Sequence, residues 1–318
     1  MRHDLVTLGE AMLRLWVRPG ERLESTPRLR VAAAGAEANV AIAVARMGHS
    51  AAWLSRLPRS PLGRRVAREI ASHGVDVSGV LWMEGSRLGT YYVELAAPPS
   101  PIRVIYDRAG STAAGMTLED VPWNVVESAR LVHLTGITPA LSPSLAEVSL
   151  EVARRARAAS VPVSVDVNYR SSLWDAEEAR KALTDLCSEA SLVILAEPDG
   201  QEVFQLSADP RRAAAETQEL FGAEFVVLTR GGRGAVWRLG DQEGETPALE
   251  AQVVDRIGVG DAFAAGVLVG FLEDDIRRGI EYGCAMAALK LVTEGDQFWG
   301  DRQEVEQLLA RSDLDVRR

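Results

Sequence analysis

Length, composition and charge are those of a globular protein and argue against several functions. The chain has 318 residues, of which 47% are hydrophobic and 25% charged, a balance that supports a buried core. The formal net charge of −10 argues against general affinity for nucleic acid, and no apolar run is long enough to span a membrane. The only cysteines, Cys187 and Cys284, lie far apart, which argues against a disulfide framework and predicts a cytoplasmic location. A strand-like run starts at Leu5, so we expect no signal peptide.

Short apolar runs alternate with helical patterns through most of the chain. The predicted strands are residues 4–8, 51–57, 131–134, 161–167, 192–195, 225–229 and 235–239. The predicted helices are residues 37–47, 63–73, 143–159, 176–187, 211–221, 276–292 and 303–310. This alternation predicts an α/β fold, a doubly wound and mostly parallel sheet with helices on both faces. Ligands of such sheets bind beyond the carboxyl ends of the strands.

Two segments, residues 12–32 and 86–107, interrupt this rhythm with short alternating strands. We interpret them as a small inserted β-sheet that serves either as a lid over a site or as an interface. Tyr91, Tyr106 and Arg108 would reach a ligand beneath this sheet, or the aromatic rings would only pack. No repeat or linker divides the chain, so we expect a single domain over residues 1–318.

A glycine turn followed by a carboxylate is the most informative stretch. Residues 251–254 are predicted to end a strand, the turn to span Gly258 to Gly260, and residues 263–272 to form a buried helix. The amides at a helix N-terminus suit an anion such as phosphate, and Asp261 beside them would act as a base toward an attacking hydroxyl. The alternative is that Asp261 only caps the helix.

Three other stretches place polar groups where a ligand would bind. Gly35 precedes an apolar helix and would allow close approach of a ligand, and Asn39 offers both a donor and an acceptor, although Glu37 could simply complement the helix dipole. Arg170 follows a buried strand and can bind a carboxylate or phosphate through two hydrogen bonds, unless it belongs to a plain surface loop. Residues 229–234 form either a glycine-rich hairpin or a loop along nucleotide phosphates.

Two of these motifs together resemble a known family. Gly35-Ala36-Glu37-Ala38-Asn39 and Gly258-Val259-Gly260-Asp261 resemble the two signatures of the ribokinase-like (PfkB) sugar kinases, with valine where the family usually has alanine. The likeness covers nearly the whole chain. Within the family it is most similar to kinases of the sugar acid 2-keto-3-deoxygluconate, on residues 106–111, 133–142, 166–170, 173–174 and 229–234.

The resemblance implies a ribokinase-like fold with a lid and assigns roles to individual residues. Asp261 would be the catalytic base, and the amides of Gly258, Val259 and Gly260 would stabilise the transferring phosphoryl group. The sugar acid would be bound by Gly35, Asn39, Tyr91, Tyr106, Arg108 and Arg170. The nucleotide would be bound by Asn168, Thr229, Arg230, Gly231, Gly232 and Gly234.

The same resemblance implies ATP and Mg²⁺, a monovalent cation such as K⁺ near Asp255 and Ile257, and a homo-oligomer formed through the lid. The family's N-x-x-E element falls on residues 196–199, where Ala196 replaces the asparagine and Asp199 the glutamate. Which side chain orients the magnesium is left open by this departure, with Asp199, acting through a water, as one candidate. Arginines at positions 108 and 170 favour a sugar acid over a neutral sugar. The alternatives are a fructokinase, a ribokinase, a nucleoside kinase or a sugar-binding regulator that has lost catalysis.

Overall fold

The computed structural model describes residues 2–95 and 101–310, which form two β-sheets flanked by helices. The strands are β1 (Leu5–Leu8), β2 (Met12–Trp16), β3 (Arg30–Ala34), β4 (Ala51–Pro58), β5 (Val80–Met83), β6 (Thr90–Glu94), β7 (Arg103–Asp107), β8 (Leu131–Thr135), β9 (Val163–Asp166), β10 (Leu192–Ala196), β11 (Phe225–Thr229), β12 (Ala235–Leu239) and β13 (Gln242–Thr246). The helices are α1 (Ala36–Arg46), α2 (Pro61–Ala71), α3 (Trp123–Glu127), α4 (Pro143–Ala158), α5 (Ala176–Cys187), α6 (Glu197–Phe204), α7 (Pro210–Phe221), α8 (Val259–Leu272), α9 (Ile276–Leu291) and α10 (Arg302–Leu309).

The large sheet confirms the predicted doubly wound architecture. Its strand order is β13-β12-β11-β10-β9-β8-β1-β4-β5. All pairs from β5 to β11 are parallel, whereas β12 and β13 are antiparallel. The chain winds outward in one direction through β4 and β5 and in the other through β8 to β11. The order therefore reverses between β1 and β8, which is where sheets of this kind bind ligands.

Alternating side chains of the strands supply two cores, one on each face of the sheet. In β11, Phe225 and Val227 pack in the same cluster as α1, α8 and α9, whereas Val226 and Leu228 pack with α4, α5 and α7. Burial on both faces explains why the parallel strands appear in the sequence as continuous apolar runs.

Most of the helices begin at residues whose side chains cap them. Ser60, Ser142 and Asp175 each accept a hydrogen bond from an amide in the first turn of α2, α4 and α5, respectively. Apart from α8, which begins at Val259 and not at the predicted residue 263, the predicted helix ends lie within two residues of the observed ones. No helix within residues 2–95 and 101–310 is long and apolar enough to cross a membrane.

The two irregular segments form the small sheet that was predicted. Its order is β3-β2-β6-β7, with β2 antiparallel to β3 and parallel to β6, and β6 antiparallel to β7. We call this four-stranded sheet the lid sheet. Residues 96–100, within the second segment, lie outside the described residues. The expectation of one domain over the whole chain stays a prediction.

The strand predicted at residues 251–254 is wrong. This segment has no regular structure, and the amide of Val254 donates to the carbonyl of Leu291 at the end of α9 instead of to a strand. Strands β5 and β13 and helices α3 and α6 were not predicted. Strand β13 is polar, and it is held by its pairing with β12, where Gly244 leaves room for the Trp237 ring. A strand held only by backbone pairing shows no alternation of apolar and polar residues, so the sequence did not reveal it.

Candidate active site

The glycine turn before α8 is shaped to leave its amides accessible. Gly258 precedes the helix with φ 83°, a conformation that favours glycine. A Cβ at Gly258 would also collide with the backbone of Asp296. Val259 and Gly260, the first residues of α8, line a cavity of about 1070 Å³. The N-terminal amides and the positive end of the helix dipole therefore lie beside a space that can hold an anion.

Asp261 lies in the first turn of α8 and is 9% exposed. Its Oδ2 accepts a 2.7 Å hydrogen bond from Asn39 Nδ2 of α1. Because Gly258 occupies the capping position, the alternative in which Asp261 only caps the helix is wrong. Burial raises the pKa of Asp261 to about 6; the hydrogen bond from Asn39 opposes this shift, the charge of Asp296 adds to it and that of Arg170 opposes it. A carboxylate with this pKa can accept a proton near neutral pH.

Glu37 is a buried member of this site that the sequence analysis assigned only to the helix dipole. Its Oε1 accepts hydrogen bonds from Thr135 Oγ1 at 2.7 Å and from Thr138 Oγ1 at 2.6 Å. Burial raises the pKa of Glu37 to about 7, and the negative charge of Asp261 adds to the shift. A glutamate inside an otherwise apolar helix, together with one threonine at the end of β8 and another three residues later, was the signal that could have revealed it.

Gly35 is required by a close contact within the protein itself. A Cβ at Gly35 would collide with the carbonyl oxygen of Glu10 after β1. The close approach is therefore between two segments of the chain, and it brings the start of α1 against the carboxyl end of β1. Asn39 is placed beside Asp261 as a result, and its buried Oδ1 has no hydrogen-bond partner among the described residues. Contact of Gly35 with a sugar stays a prediction.

Two carboxyl groups and one cation surround the loop after β9: Asp166 ends β9, Asp199 lies in α6, and Arg170 belongs to the loop itself. The carboxylate of Asp166 accepts from the amide of Asn168, and that of Asp199 accepts from the amide of Tyr169, both at 3.2 Å. Burial raises the pKa of Asp166 to about 8, and the charges of Asp261 and Asp199 add to this shift while Arg170 opposes it. The charge of Arg170 likewise opposes the rise in the pKa of Asp199 and of Asp261, although Arg170 forms no ion pair with either among the described residues. Its guanidinium is exposed, with one N–H donating to the carbonyl of Tyr169 at 3.1 Å.

The cavity beside the glycine turn contains most of the residues predicted to bind a nucleotide. Its wall includes Thr229, Arg230, Gly231, Gly232, Gly234, residues 248–253, Arg256, Phe263, Cys284, Ala287, Ala288 and Leu291. The predicted hairpin is present, since β11 and β12 are antiparallel and joined by residues 230–234. Asn168, which was also predicted to bind the nucleotide, does not line the cavity. Arg230 does line it, but its guanidinium forms a 2.5 Å ion pair with Glu245. Sequence analysis missed the apolar wall from α9, including the buried free thiol of Cys284.

The three lid residues lie together, but two of them are already bonded within the protein. Tyr91 is 3% exposed, its hydroxyl donates to Asp296 Oδ2 at 2.5 Å, and its ring stacks on Tyr106 with centroids 5.5 Å apart. Arg108 Nε donates to Glu10 Oε2 at 2.8 Å. Tyr106, at 46% exposure, is the member most open to a ligand. Direct contact of the three with a sugar acid stays a prediction.

Comparison with known proteins identifies the family. The model of the pfkB family of carbohydrate kinases matches residues 2–301. A 2-dehydro-3-deoxygalactonokinase of Haloferax volcanii is 41% identical over the full length of both chains. The crystal structure of a 2-dehydro-3-deoxygluconokinase of Thermotoga maritima is 30% identical, has a TM-score of 0.91 and covers 98% of this chain and 99% of its own.

A third comparison concerns a protein crystallised with its nucleotide. An uncharacterized sugar kinase of Pyrococcus horikoshii in complex with ATP is 24% identical, with a TM-score of 0.81 over 96% of this chain and 99% of its own. At that identity the likeness supports the fold alone. The family match over most of the chain, on a site that combines a buried carboxylate with a helix N-terminus, leads to one conclusion: the chain belongs to the pfkB family of carbohydrate kinases.

Proposed function

We propose that this carbohydrate kinase transfers the γ-phosphoryl group of ATP to the primary hydroxyl of 2-keto-3-deoxygluconate. The observation that carries the proposal is the exposed guanidinium of Arg170 in the loop after β9, whose positive charge opposes the rise in the pKa of the buried Asp261. A planar guanidinium binds a carboxylate through two hydrogen bonds. A sugar acid held in this way would direct its other end, the primary hydroxyl, toward Asp261.

A second acceptor, 2-keto-3-deoxygalactonate, differs from the first only in the configuration at one carbon. It is favoured by the 41% identity to the Haloferax volcanii enzyme, whereas the Thermotoga maritima structure favours the gluconate. Both acids carry the carboxylate that Arg170 would bind. The proposal therefore places both in the same site, with their relative rates to be measured.

The chemistry expected of the chain's own residues is placement and charge stabilisation, since phosphoryl transfer requires little else of the protein. Asp261 accepts the proton of the attacking hydroxyl as the new oxygen–phosphorus bond forms. The amides of Gly258, Val259 and Gly260 stabilise the negative charge on the transferring group. The hairpin of residues 229–234 and the apolar wall from α9 hold the nucleotide in the cavity.

The carboxyl groups of Asp166 and Asp199 fit Mg²⁺, which would neutralise phosphate charge when bound. Burial raises the pKa of both Asp166 and Asp199, and the charge of Asp199 adds to the shift at Asp166. Two such groups are stabilised by a cation, and Mg²⁺ commonly binds through one or two carboxylates and several waters. Asp199, directly or through a water, and Asp166 would hold it.

A potassium ion at Asp255 is not required by this proposal. Arg14 and the amide of Gly295 donate to Asp255 Oδ2, at 2.5 and 3.1 Å, and the amide of Ile257 donates to Oδ1 at 3.1 Å. The buried ammonium of Lys290 adds a second positive charge nearby. The protein itself thus supplies the positive charge that a monovalent cation would bring to this carboxylate.

The predicted cytoplasmic location stays a prediction.

An ADP-release assay over a panel of acceptors tests the proposed function. The panel contains 2-keto-3-deoxygluconate, 2-keto-3-deoxygalactonate, fructose, ribose and adenosine, each with Mg²⁺ and ATP. We expect the highest kcat/KM for one of the two keto acids, because a neutral sugar has no carboxylate to accept two hydrogen bonds from the Arg170 guanidinium. A higher kcat/KM for a neutral sugar or nucleoside would contradict the sugar-acid assignment, and no turnover of any acceptor would favour a regulator.

The outer strand of the lid sheet predicts a homo-oligomer. Strand β7 lies at the edge of the sheet with every residue exposed, including Ile105 at 56%. Exposed apolar edge strands pair with other chains unless they are covered. We expect at least a dimer at micromolar concentration by light scattering. Ile105→Lys should shift it to monomer, whereas Leu81→Lys, on the edge strand β5 of the large sheet, should not. A monomeric wild-type protein would contradict the prediction.

A further inference from the structure

A buried network of charged and polar side chains joins the lid sheet to the glycine turn. Arg14 of β2 is fully buried, and its Nη1 and Nη2 donate to Asp296 Oδ1 at 2.6 Å and to Asp255 Oδ2 at 2.5 Å. Tyr91 of β6 donates its hydroxyl to the other oxygen of Asp296 at 2.5 Å. Two neighbouring strands of the lid sheet are thus bonded to Asp296, and one of them, β2, is also bonded to Asp255.

Those two carboxylates flank the turn that precedes α8. Asp255 accepts a 3.1 Å hydrogen bond from the amide of Ile257, the residue before Gly258. Gly258 packs directly on the backbone of Asp296, so closely that a Cβ would not fit. The position of the turn therefore depends on where Asp255 and Asp296 are held. Arg14 is the group that bonds both of them.

Stability alone does not account for this network. Removing an arginine and two carboxylates from water costs free energy that their attraction only partly offsets, and apolar replacements of buried ion pairs are often at least as stable. The residues lie far apart in the sequence, 282 positions for Arg14 and Asp296 and 205 for Tyr91 and Asp296. The network instead provides directional hydrogen bonds, which fix one position of the lid sheet relative to the Gly258 turn.

We propose that Arg14 and Tyr91 are positioning residues for phosphoryl transfer, which hold the Gly258 turn in register with the lid sheet through Asp255 and Asp296. The proposal rests on the role of that turn in binding the transferring phosphoryl group. Donors that stabilise a transition state act through their fixed position, and a displacement of about 1 Å can cost roughly 100-fold in rate. Tyr91 thereby acquires a role distinct from direct contact with the sugar acid.

Steady-state kinetics of Tyr91→Phe and Arg14→Lys test this role, using the acceptor with the highest turnover in the panel. Tyr91→Phe removes one hydroxyl and keeps the stacked ring, so we expect kcat to fall about tenfold with both KM values nearly unchanged. Arg14→Lys keeps the charge but loses the two-carboxylate fork, and we expect a loss of kcat of about 100-fold. Tyr92→Phe, the same change on the opposite face of β6, is the matched control and should leave kcat unchanged.

Three outcomes would overturn the proposal. A higher KM for the acceptor with unchanged kcat in Tyr91→Phe would make the hydroxyl a ligand of the substrate. A lower melting temperature with unchanged kcat would make the network purely structural, and an equal loss in Tyr92→Phe would make the effect nonspecific. If Arg14→Lys does not fold, Tyr91→Phe decides alone. Since the assay uses whichever acceptor is turned over, a wrong sugar-acid assignment would appear in the wild-type panel and not in this comparison.

Discussion

Replacing Asp261 by asparagine is expected to reduce kcat by about 10²–10⁴-fold while leaving the affinity for ATP nearly intact. The amide has almost the same shape as the carboxylate, so the turn and the cavity should be preserved, but it cannot accept the proton of the attacking hydroxyl. ADP release and ATP binding by calorimetry measure the two effects separately. The same substitution at the exposed Asp241 is the matched control.

The pH dependence of the wild-type enzyme provides a second measurement of the same role. Burial raises the pKa of Asp261 to about 6, and only the ionised form can accept a proton. We therefore expect kcat/KM to be constant above that pH and to fall about tenfold per pH unit below it. Activity above half of wild type in Asp261→Asn would show that another group is the base.

Replacing Arg170 by lysine is expected to lower kcat/KM for the keto acid by roughly tenfold to 100-fold. Lysine keeps the positive charge that opposes the rise in the pKa of Asp166, Asp199 and Asp261, but an ammonium cannot form the planar two-bond fork. Losing one charge-assisted hydrogen bond costs about 1.5–3 kcal/mol. The loss should be much smaller for any neutral sugar that the enzyme accepts, because only the acid uses the fork.

The pattern of losses across acceptors decides what Arg170 binds. If it contacted a phosphate of ATP, the penalty would be equal for charged and neutral acceptors and would appear in the KM for ATP. Equal losses would therefore remove the main support for a sugar-acid substrate. Arg180→Lys, on the exposed face of α5, is the control for a conservative arginine change outside the site and should leave every constant unchanged.

Several features of this protein were determined locally and were accordingly predictable from the sequence. The two faces of β11 pack in separate cores because its residues alternate, and the continuous apolar run indicates burial on both. Gly258 and Asp261 could be located because a turn that needs positive φ and a buried helix that follows it leave a recognisable order of residues. Most helix ends, though not the start of α8, were close for a similar reason, since the apolar period is local and glycines such as Gly48 end it.

Tertiary structure alone decided which polar groups are free to meet a ligand. Arg108 and Tyr91 were predicted to reach the substrate, yet Arg108 is paired with Glu10 and the Tyr91 hydroxyl with Asp296, 205 residues away. Glu37 gained its place in the site only through threonines about 100 residues later. Partners at such separations leave no periodic pattern in the sequence. The sequence also does not distinguish a buried arginine such as Arg14 from an exposed one. Burial and pairing are properties of the assembled fold, and they set the charge, the pKa and the accessibility on which the chemistry depends.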